Sequence, residues 1–290
     1  MAKRKILVTG ANGQLGKEIR VQACDHPDYE FFFQSREDMP LENFEMIRTV
    51  FHLVKPDIFI NCAAFTAVDK AESEKDHAFQ VNGEAVGIIA ALCAESGTRF
   101  IHVSTDYVFD GEGTKPYKET DFTSPVNVYG ASKLQGEEQA FRFNPDAIII
   151  RTSWVYSSYG KTFVKTILRL INERNEINVV NDQRGCPTYA SDLASLILDL
   201  AGREQVQGGL YHFSNQGEIS WYDFALAIRD MAGSGCAVRP IPTTQFPTPA
   251  KRPHYSVLDS TRVVERFGVS LRPWKDSLRA CIEKIYSQSE

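Results

Sequence analysis

The chain has 290 residues, is 43% hydrophobic and carries a formal net charge of -5, which allows one large domain, or a large and a small one. No long basic run is present, which argues against nucleic acid as a partner, and no apolar run is long enough to span a membrane. Six cysteines (Cys24, Cys62, Cys93, Cys186, Cys236, Cys281) stand without close pairs, so the pattern predicts neither a zinc site nor disulfides and fits a reduced, cytoplasmic setting. The apolar run before Gly10 is too short for the core of a signal peptide.

In chain order, Lys5 to Thr9 reads as a short strand. It meets Gly10-Ala-Asn-Gly13-Gln-Leu-Gly16, and a helix follows from about Leu15 to Gln22. Strand, glycine turn and helix start make an anion site, because free amides and the helix dipole face the same point. This predicts dinucleotide binding, with Gly10, Asn12, Gly13, Gln14, Leu15 and Gly16 along the cofactor. The second strand, Glu30 to Gln34, ends on Ser35 and Arg36 where an acidic residue would read a ribose 2′-hydroxyl. Ser35 and Arg36 suit a 2′-phosphate, which favours NADPH; Glu37 and Asp38 keep NADH open.

A helix over Glu42 to Lys55 and a strand from Ile58 to Asn61 come next, then small residues at Ala63 and Ala64. Ala67 to Glu74 reads as exposed, and Ala78 to Ser96 as one long helix. Phe100 to Val103 is an apolar strand that runs into Ser104, Thr105 and Asp106; Gly111 to Asn127 is a polar loop suited to a lid. A helix over Val128 to Phe143 puts Tyr129 and Lys133 one turn apart on one face. A lysine cation beside a phenol favours the phenolate, and such a tyrosine can hand a proton to a carbonyl oxygen that Thr105 holds. As bare residues, the pair would equally suit an ordinary surface.

A strand over Ala147 to Thr152 leads to Ser153, Trp154 and Tyr156. Further helices are expected at Phe163 to Asn172, Ala190 to Ala201, Trp221 to Met231 and Trp274 to Tyr286. Strands are expected at Ile177 to Val180 and Leu210 to Ser214, and a loop at Pro240 to Pro253. The alternation predicts an α/β fold: a Rossmann-type doubly wound parallel sheet with a smaller mixed α/β C-terminal region for substrate. The expected division is 1–152 and 153–290, with elements near 190–215 returning to the first part. Gly10, Ala63, Thr105 and Trp154 all follow strand ends, where ligands bind in such sheets.

With these residues in view, the chain resembles the extended short-chain dehydrogenase/reductase superfamily, and within it the dTDP-4-dehydrorhamnose reductase branch. The resemblance rests on Thr66-Ala-Val-Asp-Lys-Ala-Glu-Ser-Glu, Ser104-Thr-Asp-Tyr-Val-Phe-Asp-Gly, Pro125-Val-Asn-Val-Tyr-Gly-Ala-Ser-Lys, Arg151-Thr-Ser-Trp-Val-Tyr, Asn181-Asp-Gln-Arg-Gly-Cys-Pro-Thr and Arg252-Pro-His-Tyr-Ser-Val-Leu-Asp. It implies the last step of dTDP-L-rhamnose synthesis, which feeds cell-wall polysaccharide or O-antigen. Tyr129 would be the proton donor, Lys133 would tune it and hold the nicotinamide ribose, and Thr105 would orient the carbonyl. It also implies sugar-nucleotide contacts from Thr105, Asp106 and Trp154, and cofactor contacts from Gly13, Gln14, Leu15, Leu41, Ala63, Ala64 and Thr66. Arg184 is the candidate for the substrate pyrophosphate.

Two positions depart from that family. Pro40-Leu41 stands where an Asp-Ile pair is usual, so the adenosine contact there is expected to differ. Glu18 matches a position that holds a magnesium ion between subunits in some members, but Ser191 replaces a second glutamate. No metal site is therefore expected, and the chain would be a monomer or a homodimer. The rival readings are another nucleotide-sugar 4-ketoreductase or epimerase, and an NADP-binding regulatory protein similar to the β subunit of methionine adenosyltransferase. Dehydratases tend to carry an acid pair after the threonine; here Asp106 is followed by Tyr107.

Overall fold

A computed structural model describes residues 3–288. The first half alternates β1 (Arg4–Thr9), α1 (Gln14–Gln22), β2 (Tyr29–Gln34), α2 (Phe44–Val54), β3 (Ile58–Asn61), α3 (Ala85–Ser96), β4 (Arg99–Thr105), α4 (Val128–Phe143) and β5 (Ile148–Thr152). The second half adds α5 (Phe163–Glu173), β6 (Glu176–Val180), α6 (Ala190–Gly202), β7 (Gly209–His212), α7 (Trp221–Met231), β8 (Ala237–Ile241), α8 (Thr261–Phe267) and α9 (Trp274–Ser287). Local chemistry sets several of these boundaries. Asn43 and Asn127 cap α2 and α4 by accepting from the Met46 and Gly130 amides at 3.0 and 2.8 Å. Gly97, at φ +68°, ends α3 in the left-handed conformation.

Six strands pair in the order β7-β5-β4-β3-β1-β2, every pairing parallel. The chain leaves β1 for β2, then returns to its other side for β3, so the direction of winding reverses at β1. That reversal opens a crevice at the carboxyl ends of the strands. Alternating residues feed two cores, as a sheet covered on both faces requires. Ile6, Val8, Ile60, Ile101 and Ile150 pack with Ile19 of α1 and Leu193 and Ile197 of α6. Leu7, Phe59, Phe100 and Ile149 pack with Ile47 and Phe51 of α2 and Ile89 and Cys93 of α3. A third core joins α5, α7 and α9 with Ile177, Val179 and Val238. There β6 and β8 form a separate parallel pair.

Four expectations need correction. The helix expected from Ala78 begins at Lys75 and contains a π-helical turn at Gln80–Glu84. That turn directs Asn82 into a bracket: its side chain accepts from the Phe65 amide at 2.8 Å and donates to the Phe65 carbonyl and the Ser132 hydroxyl. The 67–74 segment is not simply exposed, because Ala71 is fully buried and Asp69 is held by Arg252 at 2.6 Å. Pro240 and Ile241 belong to β8, and α8 was not foreseen; both are short and weakly patterned. Finally, the 111–127 loop is pinned, not poised as a lid. Tyr117 stacks on Phe109 at 4.2 Å and donates its amide to the Val257 carbonyl, while Glu119 accepts from the His212 amide. Among the described residues none of 111–127 lines the cleft.

Candidate active site

Glycine chemistry builds the floor of the crevice. Gly10 sits at φ +67°, and a Cβ there would lie 2.8 Å from the Ala63 nitrogen; a Cβ on Gly16 would collide with the Gly10 carbonyl. Only glycine lets the turn, the loop after β3 and α1 come this close. Helix α1 starts at Gly13 without a side-chain cap, so its first amides remain available to an anion. The resulting cleft of about 690 Å³ is lined by Gly10, Asn12, Gly13, Gln14, Leu15 and Gly16. Ser35, Arg36 and Leu41 line it at the end of β2, and Ala63, Ala64 and Thr66 at the end of β3. Thr105 and Asp106 join from β4, Tyr129 and Lys133 from α4, and Trp154 from beyond β5.

The first turn of α4 is positioned with care. Glu72 accepts the Val128 amide at 2.9 Å, and Gly130 and Gly136 carry no side chain where the Tyr107 and Asn82 carbonyls press against the helix. Tyr129 thereby lies with its phenol beside the Thr105 hydroxyl, and its ring meets Tyr107 edge-on at 5.6 Å. Thr105 donates to Asp106 Oδ1 at 3.0 Å. The other Asp106 oxygen is buried and has no well-formed hydrogen bond among the described residues, although the Ser256 hydroxyl is near enough to favour its charge. Burial pushes the Asp106 carboxyl up to about 6, against the opposing pull of Ser256 and Thr105.

The expected effect of Lys133 on Tyr129 needs correction for this structure. Burial raises the phenol to about 12; Thr105 opposes the rise and the Asp106 charge adds to it. Lys133 is not among the groups that move the phenol, and its Nζ points at other partners. It donates to the Val103 carbonyl at 2.7 Å and lies 3.2 Å from His102 Nε2. Burial draws Lys133 down to about 8, while Glu137 and Cys62 favour its charge. Behind it runs a buried file that the sequence reading did not single out: Thr9 Oγ1 to Asn61 Oδ1 at 2.6 Å, Asn61 Nδ2 to His102 Nδ1 at 3.0 Å, then Lys133. The detectable signal was a polar residue within or at the end of each of three apolar strands, at Thr9, Asn61 and His102.

Trp154 adopts φ +47°, a conformation that costs a non-glycine residue on the order of 1 kcal/mol or more. Trp221, also missed from the sequence, holds it by parallel stacking at 3.6 Å, and Gly185 leaves room for the indole edge. The 181–188 stretch therefore supports Trp154 from behind, with Ser153 donating to the Cys186 carbonyl at 2.7 Å. Arg184 does not join the lining; it pairs with Glu218 at 2.6 Å. Its alternation with Gly185 turns the glycine, not the arginine, toward the Trp154 indole. At the rim, Arg36 is mostly exposed and bonds Glu42 at 2.9 Å, with His77 Nε2 at 3.4 Å. Glu18 lies outside the lining, with one oxygen accepting from Ser157 and the other from Lys284 at 2.7 Å. All six cysteines are free; burial keeps Cys62, beside Lys133, a thiol at about 12. No helix among the described residues is long and apolar enough to cross a membrane.

Comparison with known proteins agrees with this geometry. The family model described as RmlD substrate binding domain matches residues 4–287. The chain is 40% identical over 285 residues to a dTDP-4-dehydrorhamnose reductase of Aggregatibacter actinomycetemcomitans, spanning 95% of this chain and 97% of that protein. A crystal structure of a dTDP-4-dehydrorhamnose reductase from Clostridium acetobutylicum superposes with a TM-score of 0.93 at 40% identity, covering 97% of this chain and 99% of the other. One from Bacillus anthracis, in complex with NADP, gives 0.92 at 36% identity, with 97% and 99% covered. A doubly wound sheet, a glycine-floored cleft and full-length likeness together mean that the chain belongs to the dTDP-4-dehydrorhamnose reductase family of NAD(P)H-dependent oxidoreductases.

Proposed function

We propose that the protein reduces the C4 ketone of dTDP-4-dehydro-L-rhamnose to give dTDP-L-rhamnose in the cytoplasm, using NADPH or NADH. The observation that carries this reading is the meeting of Thr105, Asp106, Tyr129 and Lys133 at one end of a cleft whose floor is glycine. Relatives of that name over the full length support the substrate. The cofactor supplies the hydride. The free amides at the start of α1 suit its pyrophosphate, and Leu41, Ala63, Ala64 and Thr66 offer an apolar wall. Arg36 can reach a 2′-phosphate at the rim by exchanging Glu42 for it.

Burial makes Tyr129 hold its proton firmly, so the phenol is a hydrogen-bond donor ready for a ketone oxygen. Thr105, on the same side, fixes that oxygen, and the phenol gives up its proton as negative charge develops there. A charged Lys133 nearby would bring the phenol down toward neutrality. The orphaned Asp106 oxygen can accept from a sugar hydroxyl, and the Trp154–Trp221 stack offers a flat apolar face to the nucleotide sugar. Residues 153–290 then supply much of the substrate side.

The test is a coupled assay that generates the 4-keto sugar in place, follows nicotinamide absorbance and identifies the sugar formed. Oxidation of NADPH with rhamnose as product is expected. A different C4 configuration would indicate another 4-ketoreductase. Lack of turnover, with NADPH still bound and a synthetase co-purifying, would indicate a regulatory role.

A further inference from the structure

The file of groups behind Lys133 has a hydrogen-bond direction that can be worked out atom by atom. Thr9, Asn61, His102 and Lys133 are all buried, so each donor needs an acceptor. Asn61 offers one oxygen and one nitrogen, and two contacts decide which faces which way. The Ala63 amide points between Thr9 Oγ1 at 3.3 Å and the facing Asn61 atom at 3.2 Å; Thr9 Oγ1, facing that hydrogen, turns its own hydrogen to Asn61, whose facing atom is then oxygen. The 2.6 Å separation from Thr9 Oγ1 is a hydroxyl-to-oxygen length. Asn61 Nδ2 therefore donates to His102 Nδ1. Burial, the larger cause, holds His102 well below its usual range, so the ring is neutral. A neutral imidazole that accepts at Nδ1 carries its proton on Nε2. That N–H faces Lys133 Nζ at 3.2 Å.

An ammonium has three donors and no acceptor, so it would meet the Nε2 hydrogen head-on. A neutral amine fits: it donates to the Val103 carbonyl and accepts from His102. We propose that His102, oriented by Asn61 and Thr9, is a positioning residue that favours the uncharged amine form of Lys133, so that above neutral pH binding of the dinucleotide is accompanied by uptake of a proton at Lys133. The step balances: the amine lone pair takes one proton from solvent, and the ammonium replaces its histidine contact with acceptors on the ligand. Two neighbours oppose this without overcoming burial: Glu137, on α4 and paired with Arg151 of β5, and Cys62, at the end of β3, both favour the charge. Tyr129, on α4, stays a phenol, and Asp106, after β4, acts on Tyr129. The direction of the lysine shift, downward through burial, agrees with the geometry.

This inference rests on the cofactor reading above for its ligand, but its test does not use turnover. Calorimetry of NADPH binding at about pH 9, in buffers of different ionisation enthalpy, should report uptake of about one proton per site, falling as the pH is lowered; a 2′-phosphate is fully ionised there. Nitrogen NMR of the free protein should show His102 protonated at Nε2 and bare at Nδ1. The Asn61→Asp variant, which accepts from Nδ1–H, should reverse that tautomer and abolish the uptake. An Nδ1–H tautomer in the unaltered protein, or zero uptake on tight binding, overturns the proposal. If NADPH fails to bind, the cofactor reading fails instead. The Lys133 Cε titration then decides: a midpoint near the ordinary lysine value of about 10.4 overturns the proposal, and one well below it supports it.

Discussion

Two buried ionisable clusters hang on the same helix one turn apart, and they differ in how completely their hydrogen bonds are met. In the first, Glu137 of α4 is held by Arg151 at 2.6 Å and by the Ser104 hydroxyl at 2.5 Å, and the guanidinium lies over Phe109 at 5.0 Å. Neither carboxylate oxygen is left without a donor, and in this cluster only Arg151 Nη1, on the cation, is buried without a partner among the described residues. In the second, Thr105, Asp106, Tyr129 and Lys133 share too few partners. One Asp106 oxygen is orphaned, Asp106 and Tyr129 are shifted up, and Lys133 is shifted down. Burial raises the stakes of both clusters equally. A cluster whose carboxylate is fully bonded locks β4, β5 and α4 together, whereas one whose carboxylate is left short stores binding capacity for a ligand.

The comparison can be broken most forcefully at Glu137. Glu137→Ala strands Arg151 in the core and should cost about 3–5 kcal/mol in urea unfolding. A loss below 1 kcal/mol would show that the pair is not the clamp described. Tyr129→Phe removes a proton but little packing. It should lower kcat by about 100-fold or more, near 2.7 kcal/mol, with NADPH affinity and stability almost unchanged. Near-normal turnover would remove Tyr129 from the chemistry.

Asp106 offers a pH test. Its carboxyl binds a proton more tightly folded (about 6) than its ordinary value of 3.8. The folded chain thus holds more protons between these values, and stability falls as pH rises through that window. The charge penalty is absent below about 4 and complete above about 6. Asp106→Asn should therefore gain on the parent by about 2–3 kcal/mol in unfolding free energy between pH 4 and pH 7. A constant difference across that range would mean that Asp106 ionises freely. The smallest effect belongs to the rim. Arg36→Ala should weaken NADPH by about 1 kcal/mol, roughly fivefold, and NADH by less, because the side chain is mostly exposed. Equal losses for both cofactors would show that Arg36 does not read the phosphate.

Much of this arrangement could be read along the chain because it depends on local rules. The glycine turn, the strand endings at Thr105 and Trp154, and the one-turn spacing of Tyr129 and Lys133 each follow from a few adjacent residues. So do β1 to β5, whose apolar runs are bounded by Gly, Pro or Asn. The π-helical turn was not legible, since nothing in the 80–84 composition distinguishes it from an α-helix; it exists so that Asn82 can reach Phe65 and Ser132. Arg184 failed for a similar reason. A charge in a turn-rich stretch has no face until the turn is built, and here that face belongs to Glu218.

By itself, then, the order of residues determined a wound parallel sheet, a phosphate-binding turn and the reactive groups at strand ends, because period, turn chemistry and helix spacing act over a handful of positions. Tertiary structure alone decided the protonation setting of those groups. Desolvation, the direction of the Thr9–Asn61–His102 file and the Trp154–Trp221 stack join residues tens of positions apart. Coulombic and solvation energies depend on distance in space, which the linear chain does not contain.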